Sequence, residues 1–559
     1  MNKKLTPRTI VLSLEYHLFK KDKALLRALV PKKVQGILRR RARARYLVWD
    51  ARRYNAWMAV HVAERKARYA AELQPGLLSI ATPVWDGTPI PYLRLLAESI
   101  AGQNADGACE WLVLDNGCQK PEVRRYLDEL AQYVWVRLHR EAKNEGIVGG
   151  MRACLEHATG RYLCTVDSDD LLYPDCLEIV QWWIRRSGYA PLLYSDEDKI
   201  IGTKAVQPYF KPDFDPVLLM NSAYIAHLGV VDRAKALALG AYTDREAEGS
   251  PDWDCFVRFY MAGYEAVHIP EVIYSWRMHP ESTADDAGSK PYIHSSQRAV
   301  IGRYLEAKGF SETNVLRYSP LLPGTADWWI ERKHTGPVKT LVLSDGQEAG
   351  LSYPELKFAK VRRKATFADL MAAISEAPDL VCLLDGGLRP ERDDCLWEAQ
   401  GLFERFADAG MVGGWIASKS GKVQDGPLVL GFDGTCGCPD AGRPVVDPGY
   451  FTQMRKQRSV SAVSSRFAVL RTSFLREAFE AGGFQDVGIW ELGPWLGQFA
   501  LRRKERIVFS PFLRCNAGSE EIENARFRAF PDADNRYYPV NLGLNSETSY
   551  QLAALRLRE

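Results

Sequence analysis

From Leu77 onward, short apolar runs alternate with amphipathic ones. LLSIATPVW, EWLVLDNG and RYLCTVDSDD each gather apolar, β-prone residues and stop at polar or acidic ones, the pattern of buried strands. Between them, PYLRLLAESIAG and residues 122–132 space their apolar positions as helices do, residues 134–138 read as a short strand, and a helix follows Asn144-Glu145-Gly146. This rhythm predicts an α/β domain built on a parallel, doubly wound sheet. The first two strands end at Asp86 and Asp115 and the DSDD strand at Asp167, Asp169 and Asp170. Acids therefore gather at the carboxyl edge, where such sheets hold their ligands.

In Asp167-Ser168-Asp169, two carboxylates one residue apart can share a hard divalent ion and leave positions open for phosphate oxygens. Standing alone, the same turn reads as an Asx-rich cap on the helix after Pro174. Other parts of the chain decide between the two readings.

The order and spacing of SIATPVW, EWLVLDNG and NEGIVGGMRACLEHATGRYLCTVDSDDLLYPD resemble the family 2 glycosyltransferases of GT-A fold. The resemblance continues through LLYSDEDKI, PYFKPDFDPVLL and SPDWDCFVRFYMAGYEAVHIPEVIYSWRMHPEST, which are similar to a bacterial subgroup associated with polysaccharide and O-antigen assembly. It implies that Asp115 contacts the nucleobase and that Thr82, Pro83, Val84 and Trp85 line the same pocket. Asp167, Ser168 and Asp169 would hold the donor diphosphate through Mn²⁺ or Mg²⁺, with Asp167, Asp169 and His279 as metal ligands. Arg152, in Met151-Arg152, stands where many members carry an Arg-Asn pair and is a candidate to neutralise phosphate charge. Asp252 matches the general base. Asp254 and the strand-end acids Asp196, Glu197 and Asp198 are expected near the sugar or acceptor.

The implied reaction is inverting transfer of a sugar from a UDP- or dTDP-linked donor to a glycan acceptor, polyprenyl-linked forms included. One base to take the hydroxyl proton and one metal to stabilise the diphosphate suffice for a single displacement. The acid/base pair of hydrolases is unnecessary.

The second half reads as a weakened copy. KTLVLSDG, KATFADLMAAISEAP, DLVCLLDGG and RDDCLWEAQGLFERF repeat the strand and helix order, but Asp385-Gly386-Gly387 leaves one carboxylate where two would hold a metal. Gly493 or Pro494 falls near the expected base, with Glu491 as a substitute if the register shifts. The expected organisation is a basic helical segment over 1–76, a GT-A catalytic domain over 77–336 and a GT-A-like, non-catalytic domain over 337–559.

Charge adds a third feature. Residues 1–76 carry 19 Lys and Arg against 5 Asp and Glu, a net of +14 in a chain of net +3, so the remainder carries −11. Leu25, Leu26, Leu29 and Val30 recur at helical spacing among these basic residues, as in a helix lying on an anionic membrane surface or in a solvated arm packed on the body. Nucleic acid is not expected, because the aromatics are not spaced as stacking platforms. No apolar run reaches the roughly 18 residues of a membrane span, and the 11 Cys form no CxxC pairs. The expectation is a cytoplasmic protein, peripheral on the inner face of the inner membrane and able to assemble with other polysaccharide enzymes. Two alternatives stay open: a bifunctional transferase, and a non-catalytic glycan-binding scaffold.

Overall fold

The structure is a computed structural model that describes residues 51–104, 106–278, 292–323, 327–346, 350–374, 378–517, 530, 534–546 and 549–553. Its described residues fall into two compact units, one of residues 51–331 with 539–541, the other of residues 332–538 with those from 542 onward. No described helix is long and apolar enough to cross a membrane.

The first unit opens with helix α1 (Ala51–Tyr69), whose buried stripe is Tyr54, Met58, His61, Arg65 and Tyr69. All of these but Met58 meet carboxylates inside the unit, Tyr69 donating to Glu271 at 3.1 Å. Arg65 grips Asp175 with two bonds of 2.7 Å, His61 lies 2.6 Å from Glu271, and Tyr54 donates to Asp198 at 2.8 Å. A buried guanidinium is tolerated only when paired this fully. Residues 51–69 of the basic segment are thus integral to this unit, while the Leu25 to Val30 pattern lies outside the described residues.

The sheet uses strands β1 (Leu78–Val84), β2 (Glu110–Asp115), β3 (Val136–Arg140), β4 (Tyr162–Thr165), β5 (Leu171–Leu172), β6 (Leu192–Ile201), β7 (Lys204–Tyr209), β8 (Gly229–Asp232) and β9 (Val267–Arg277). Their order is β3-β2-β1-β4-β8-β6-β9-β5, with β7 on β6. The expected parallel pairing holds from β3 to β4. Beyond that point β8 runs antiparallel to both β4 and β6, so the sheet is mixed and not wholly parallel. The longer helices after α1 are α2 (Ile90–Ala101), α3 (Pro121–Leu130), α4 (Gly146–His157), α5 (Cys176–Arg186), α6 (Pro251–Met261) and α7 (Tyr292–Ala307). Ile80, Leu93, Ile100, Trp111, Leu127, Leu177 and Ile184 join α2, α3 and α5 to the sheet in one core, and β10 (Asn314–Tyr318) pairs with β11 (Trp328–Arg332) as a separate ribbon.

The second unit contains β12 (Thr340–Ser344), β13 (Leu356–Lys360), β14 (Leu380–Leu384), β15 (Leu388–Pro390), β16 (Ala409–Ala417), β17 (Val423–Asp425), β18 (Pro427–Leu430), β19 (Cys436–Gly437), β20 (Arg458–Val460), β21 (Ala462–Val463), β22 (Phe467–Arg471) and β23 (Arg506–Ala517). Its main sheet runs β13-β12-β14-β22-β16-β23-β15, with β17 on β16 and β20 on β23, and β19-β18-β21 form a small second sheet. Helices α8 (Phe367–Ala373), α9 (Cys395–Arg405), α10 (Thr472–Ala481) and α11 (Leu492–Arg503) complete it.

Candidate active site

Parallel strands β1, β2 and β4 end together, and their polar residues form one edge. Asp115 closes β2 and is buried; its Oδ1 accepts from the Cys118 amide at 2.7 Å and its Oδ2 from Arg140 Nε at 3.1 Å. Beside it Asn116 clips the next loop, donating to the Gly146 carbonyl at 3.0 Å and accepting from the Glu145 amide at 3.0 Å. Gly117 has φ +72°, and a Cβ there would lie 2.2 Å from the Lys143 backbone. That position requires glycine. Asp86 accepts from the amides of Gln119 and Lys120 at 2.9 Å each, and those backbone donors, Lys120 first, hold its carboxyl below the ordinary range.

The acidic turn after β4 separates its three carboxylates by role. The Asp167 side chain is 58% exposed. Asp170 is fully buried, accepting from the Tyr274 hydroxyl at 2.5 Å and the Arg277 amide at 2.7 Å. Burial, followed by the neighbouring Asp167 and Asp169, pushes the Asp170 carboxyl well above its usual value. Asp170 therefore shapes the turn. Arg277 also holds the Asp169 carbonyl at 2.6 Å, and the Ser168 hydroxyl sits 3.2 Å from that of Thr88.

Opposite this turn lies His227, a residue the motifs did not single out. Its Nε2 is 3.9 Å from Asp167 Oδ2 and its Nδ1 3.4 Å from Glu197 Oε2. Burial alone would lower its pKa, but Glu197, with Asp167 and Asp170 behind it, prevails and raises it to about 9. Lys211, in the PYFKPDFDP stretch, is buried behind it and donates to the carbonyls of Ala226 at 2.9 Å and His227 at 2.6 Å while lying 3.6 Å from Glu197. Against the cost of burial, Lys211 and His227 hold the Glu197 carboxyl below its ordinary value. The signal for both residues was present in YFKPDFDP and YIAHL, but neither has a periodic or paired pattern.

Asp252 is the second residue of α6, after Pro251 at the first turn, where the helix dipole favours a carboxylate. Its Oδ1 accepts from Tyr242 at 3.2 Å. Burial raises its pKa, opposed by His227 and Tyr242, which makes the carboxylate a better proton acceptor. Asp252 and His227 line one narrow cavity with Thr165, Ala226, Gly229, Tyr242 and Phe256.

Several expected site residues are occupied elsewhere. Thr82 faces the sheet interior, its hydroxyl accepting from Trp111 Nε1 at 3.0 Å, because strand residues alternate faces. Val84 is also buried and Pro83 half-buried, whereas Trp85 is 55% exposed. Arg152 is held by Glu156 at 2.6 Å and the Ala241 carbonyl at 3.2 Å. Asp254 points to Arg258 at 2.6 Å and Arg303 at 2.5 Å. Asp196 is buried against His268 and the Lys211 amide, and Asp198 accepts from Tyr54, Tyr173 and Ser275. Of the three β6 acids, Glu197 alone meets the cavity wall, through His227. His279 lies outside the described residues.

The donor chemistry at the turn fits a divalent ion. Asp167, its side chain 58% exposed, and Asp169 offer the hard carboxylate oxygens that Mn²⁺ and Mg²⁺ take.

Residues 79–201 match the family model "Glycosyl transferase family 2". The chain is 29% identical over 469 residues to "Uncharacterized protein y4gI" of Sinorhizobium fredii, covering 76% of this chain and 50% of that protein. It is 26% identical over 488 residues to "O-antigen biosynthesis protein RfbC" of Myxococcus xanthus, covering 78% of this chain and 37% of that one. It thus spans half or less of the length of these two relatives. Among solved structures, S. aureus TarS 1-349 in complex with UDP-GlcNAc aligns with a TM-score of 0.35 at 18% identity, over 41% of this chain and 66% of that one.

Proposed function

We propose that this chain, a member of the family 2 glycosyltransferases through residues 79–201, transfers a sugar from a nucleoside-diphosphate donor to a hydroxyl of a glycan acceptor. The observation that carries this reading is that His227 stands 3.9 Å from Asp167 of the acidic turn and lines one cavity with Asp252. A carboxylate base and a diphosphate anchor are the two parts one inverting displacement needs.

Asp115, held by Arg140 and the Cys118 amide, presents a fixed acceptor for the donors of a nucleobase, and exposed Trp85 offers an aromatic face beside it. Asp167 and Asp169 would hold Mn²⁺ or Mg²⁺, which when bound neutralises charge on the departing diphosphate. Asp252 keeps Oδ1 on Tyr242 and takes the acceptor proton on Oδ2 as the hydroxyl oxygen attacks the anomeric carbon. His227, kept in place by Glu197 and Lys211, supports Asp167 on one side and restrains Asp252 on the other.

The role in surface polysaccharide or O-antigen assembly draws on the name of the Myxococcus relative. UDP or dTDP as the donor nucleotide, a polyprenyl-linked acceptor, docking of the basic N-terminal segment on the inner membrane surface and assembly with other polysaccharide enzymes belong to the same proposal. So does the division into a catalytic module over 77–336 and a non-catalytic one over 337–559.

The test is turnover of a panel of UDP- and dTDP-sugars by wild type and Asp252→Asn, with donor binding followed by calorimetry. Loss of transfer with retained binding is expected; equal turnover by the two proteins overturns the base assignment. Chelation with EDTA should stop transfer, and an unchanged rate would remove the metal from the reading.

A further inference from the structure

On the flank of the first unit, away from the acidic turn, two imidazoles and a carboxylate converge. Residues alternate sides along β3. Arg140 turns to Asp115 and Asp128, while His139 and, just past the strand, Glu141 meet His157 at the end of α4. The His139 and His157 rings stack at 3.6 Å between centroids and 23° between planes. Glu141 Oε1 lies 3.3 Å from His139 Nε2, and one ligand atom from each of the three residues falls within 4.8 Å of the others. All three are half-buried. Among the described residues, this trio meets that spacing and the acidic turn does not.

We propose that His139, Glu141 and His157 form a second metal site, for a borderline transition ion of the Zn²⁺ type. Two imidazole nitrogens and one carboxylate oxygen are the donor set such ions prefer, with a fourth position left for water. Mg²⁺ and Mn²⁺ prefer the all-oxygen donors of the acidic turn, so the two sites differ in ligand chemistry. The location suits a cation. His157 occupies the last turn of α4, where unpaired carbonyls favour positive charge. Arg137, the cation on the same strand face, is engaged by the His157 carbonyl at 2.8 Å and Glu110 at 3.5 Å. A bound ion would tie the sheet's edge strand to α4, whose leading loop is clipped to Asn116. None of this depends on the transferase reading.

The test uses the untagged full-length chain, stripped of metal and titrated with Zn²⁺, and with Co²⁺ as a spectroscopic probe. One ion should bind at this site with micromolar or tighter affinity and raise the melting temperature, since a ligand that binds only the folded state stabilises it. His139→Gln and His157→Gln should each weaken binding by about tenfold or more and remove the thermal shift. Glu141→Gln, the mildest change, should weaken binding and alter the Co²⁺ visible spectrum. Asp167→Asn should bind Zn²⁺ here as wild type does. Equal Zn²⁺ affinity in wild type and all three triad variants, or no binding at ~100 µM Zn²⁺, overturns the proposal.

Discussion

The two units share eight of the nine strands of their main sheets in the same order, with β3 of the first and β20 of the second unmatched, and they differ at the carboxyl edge. The order β2-β1-β4-β8-β6-β9-β5 of the first is matched by β13-β12-β14-β22-β16-β23-β15 in the second, with β17 on β16 as β7 is on β6. The strand directions agree too: β14 and β22 are antiparallel as β4 and β8 are, and β16 and β23 parallel as β6 and β9 are. At that edge the first unit presents Asp167 with His227 behind it. In the second, Asp385 is clamped by Arg466 at 2.7 Å and by Arg363 at 3.0 Å, and Arg363 also holds Asp345 at 2.9 Å. Arg466 precedes β22 much as His227 precedes β8. The carboxylate survives in the copy, but there it is paired with two guanidinium groups. The helix that carries the proposed base differs in the same way. Asp252 is the second residue of α6 and Gly493 the second of α11, where a Cβ would meet the Val463 carbonyl oxygen at 2.0 Å. One fold has kept its architecture while one edge was filled in.

The sharpest test of this contrast is the base. Asp252→Asn should lower kcat by about 10³-fold, within the range of general-base loss, with donor affinity retained in calorimetry. Gly493→Asp should create no base and should lower the melting temperature, because the tight backbone contact must break. Transfer activity gained by Gly493→Asp would mean that the second edge is open after all.

Next in size are the carboxylates after the central strands. Asp167→Asn and Asp169→Asn should each cost about 10²-fold in turnover and weaken Mn²⁺ binding measured by electron paramagnetic resonance. Asp385→Asn and Glu491→Gln should leave turnover within about twofold of wild type, because neither residue takes part in the proposed transfer. If either abolished one glycosidic linkage while another persisted, the chain would be bifunctional and the contrast would fail. A smaller effect is expected at the nucleobase strand: Asp115→Ala should raise the donor KM by about 10- to 100-fold, the cost of a lost charged hydrogen bond, with a much smaller change in kcat.

Asp115 and Asp167 stand out in the sequence because each ends a short apolar run, a local signal, and Asp252 through the resemblance of SPDWDCFVR to the family's motif. The pairing of the second half with the first was legible for the same reason. Asp196, Glu197 and Asp198 were not separable. Their strand carries register shifts on both sides of Asp196, so alternation does not tell which carboxylate faces the cavity, and their partners are far off in sequence: His268 for Asp196 and Tyr54 for Asp198. His227 escaped notice because its meaning depends on Asp167 and Glu197, brought beside it only by the antiparallel insertion of β8. The mixed sheet itself was missed because a strand's direction is a property of its neighbours.

The smallest expected effect comes from how each unit neutralises its buried acids. Besides the arginine partners of Asp175 and Asp254, the first unit pairs Asp196 with His268 and Glu197 with His227, whereas Asp385, Asp440 and Asp447 of the second are paired with arginines. Arginine does not titrate in the accessible range, but histidine does. Although burial opposes it, Asp196 with Asp213 raises the His268 pKa from 6.5 to about 9. A folded-state pKa above the unfolded one means the native state binds the extra proton. The stabilisation is therefore complete below about pH 6.5 and is lost as pH rises through 9. Between those values wild type should lose on the order of 1–3 kcal/mol from this pair, seen as a falling melting temperature. His268→Gln should be less stable at pH 6.5 and should fall less steeply toward pH 9. Parallel slopes for the two proteins would assign the pH dependence to another group and remove this distinction between the units.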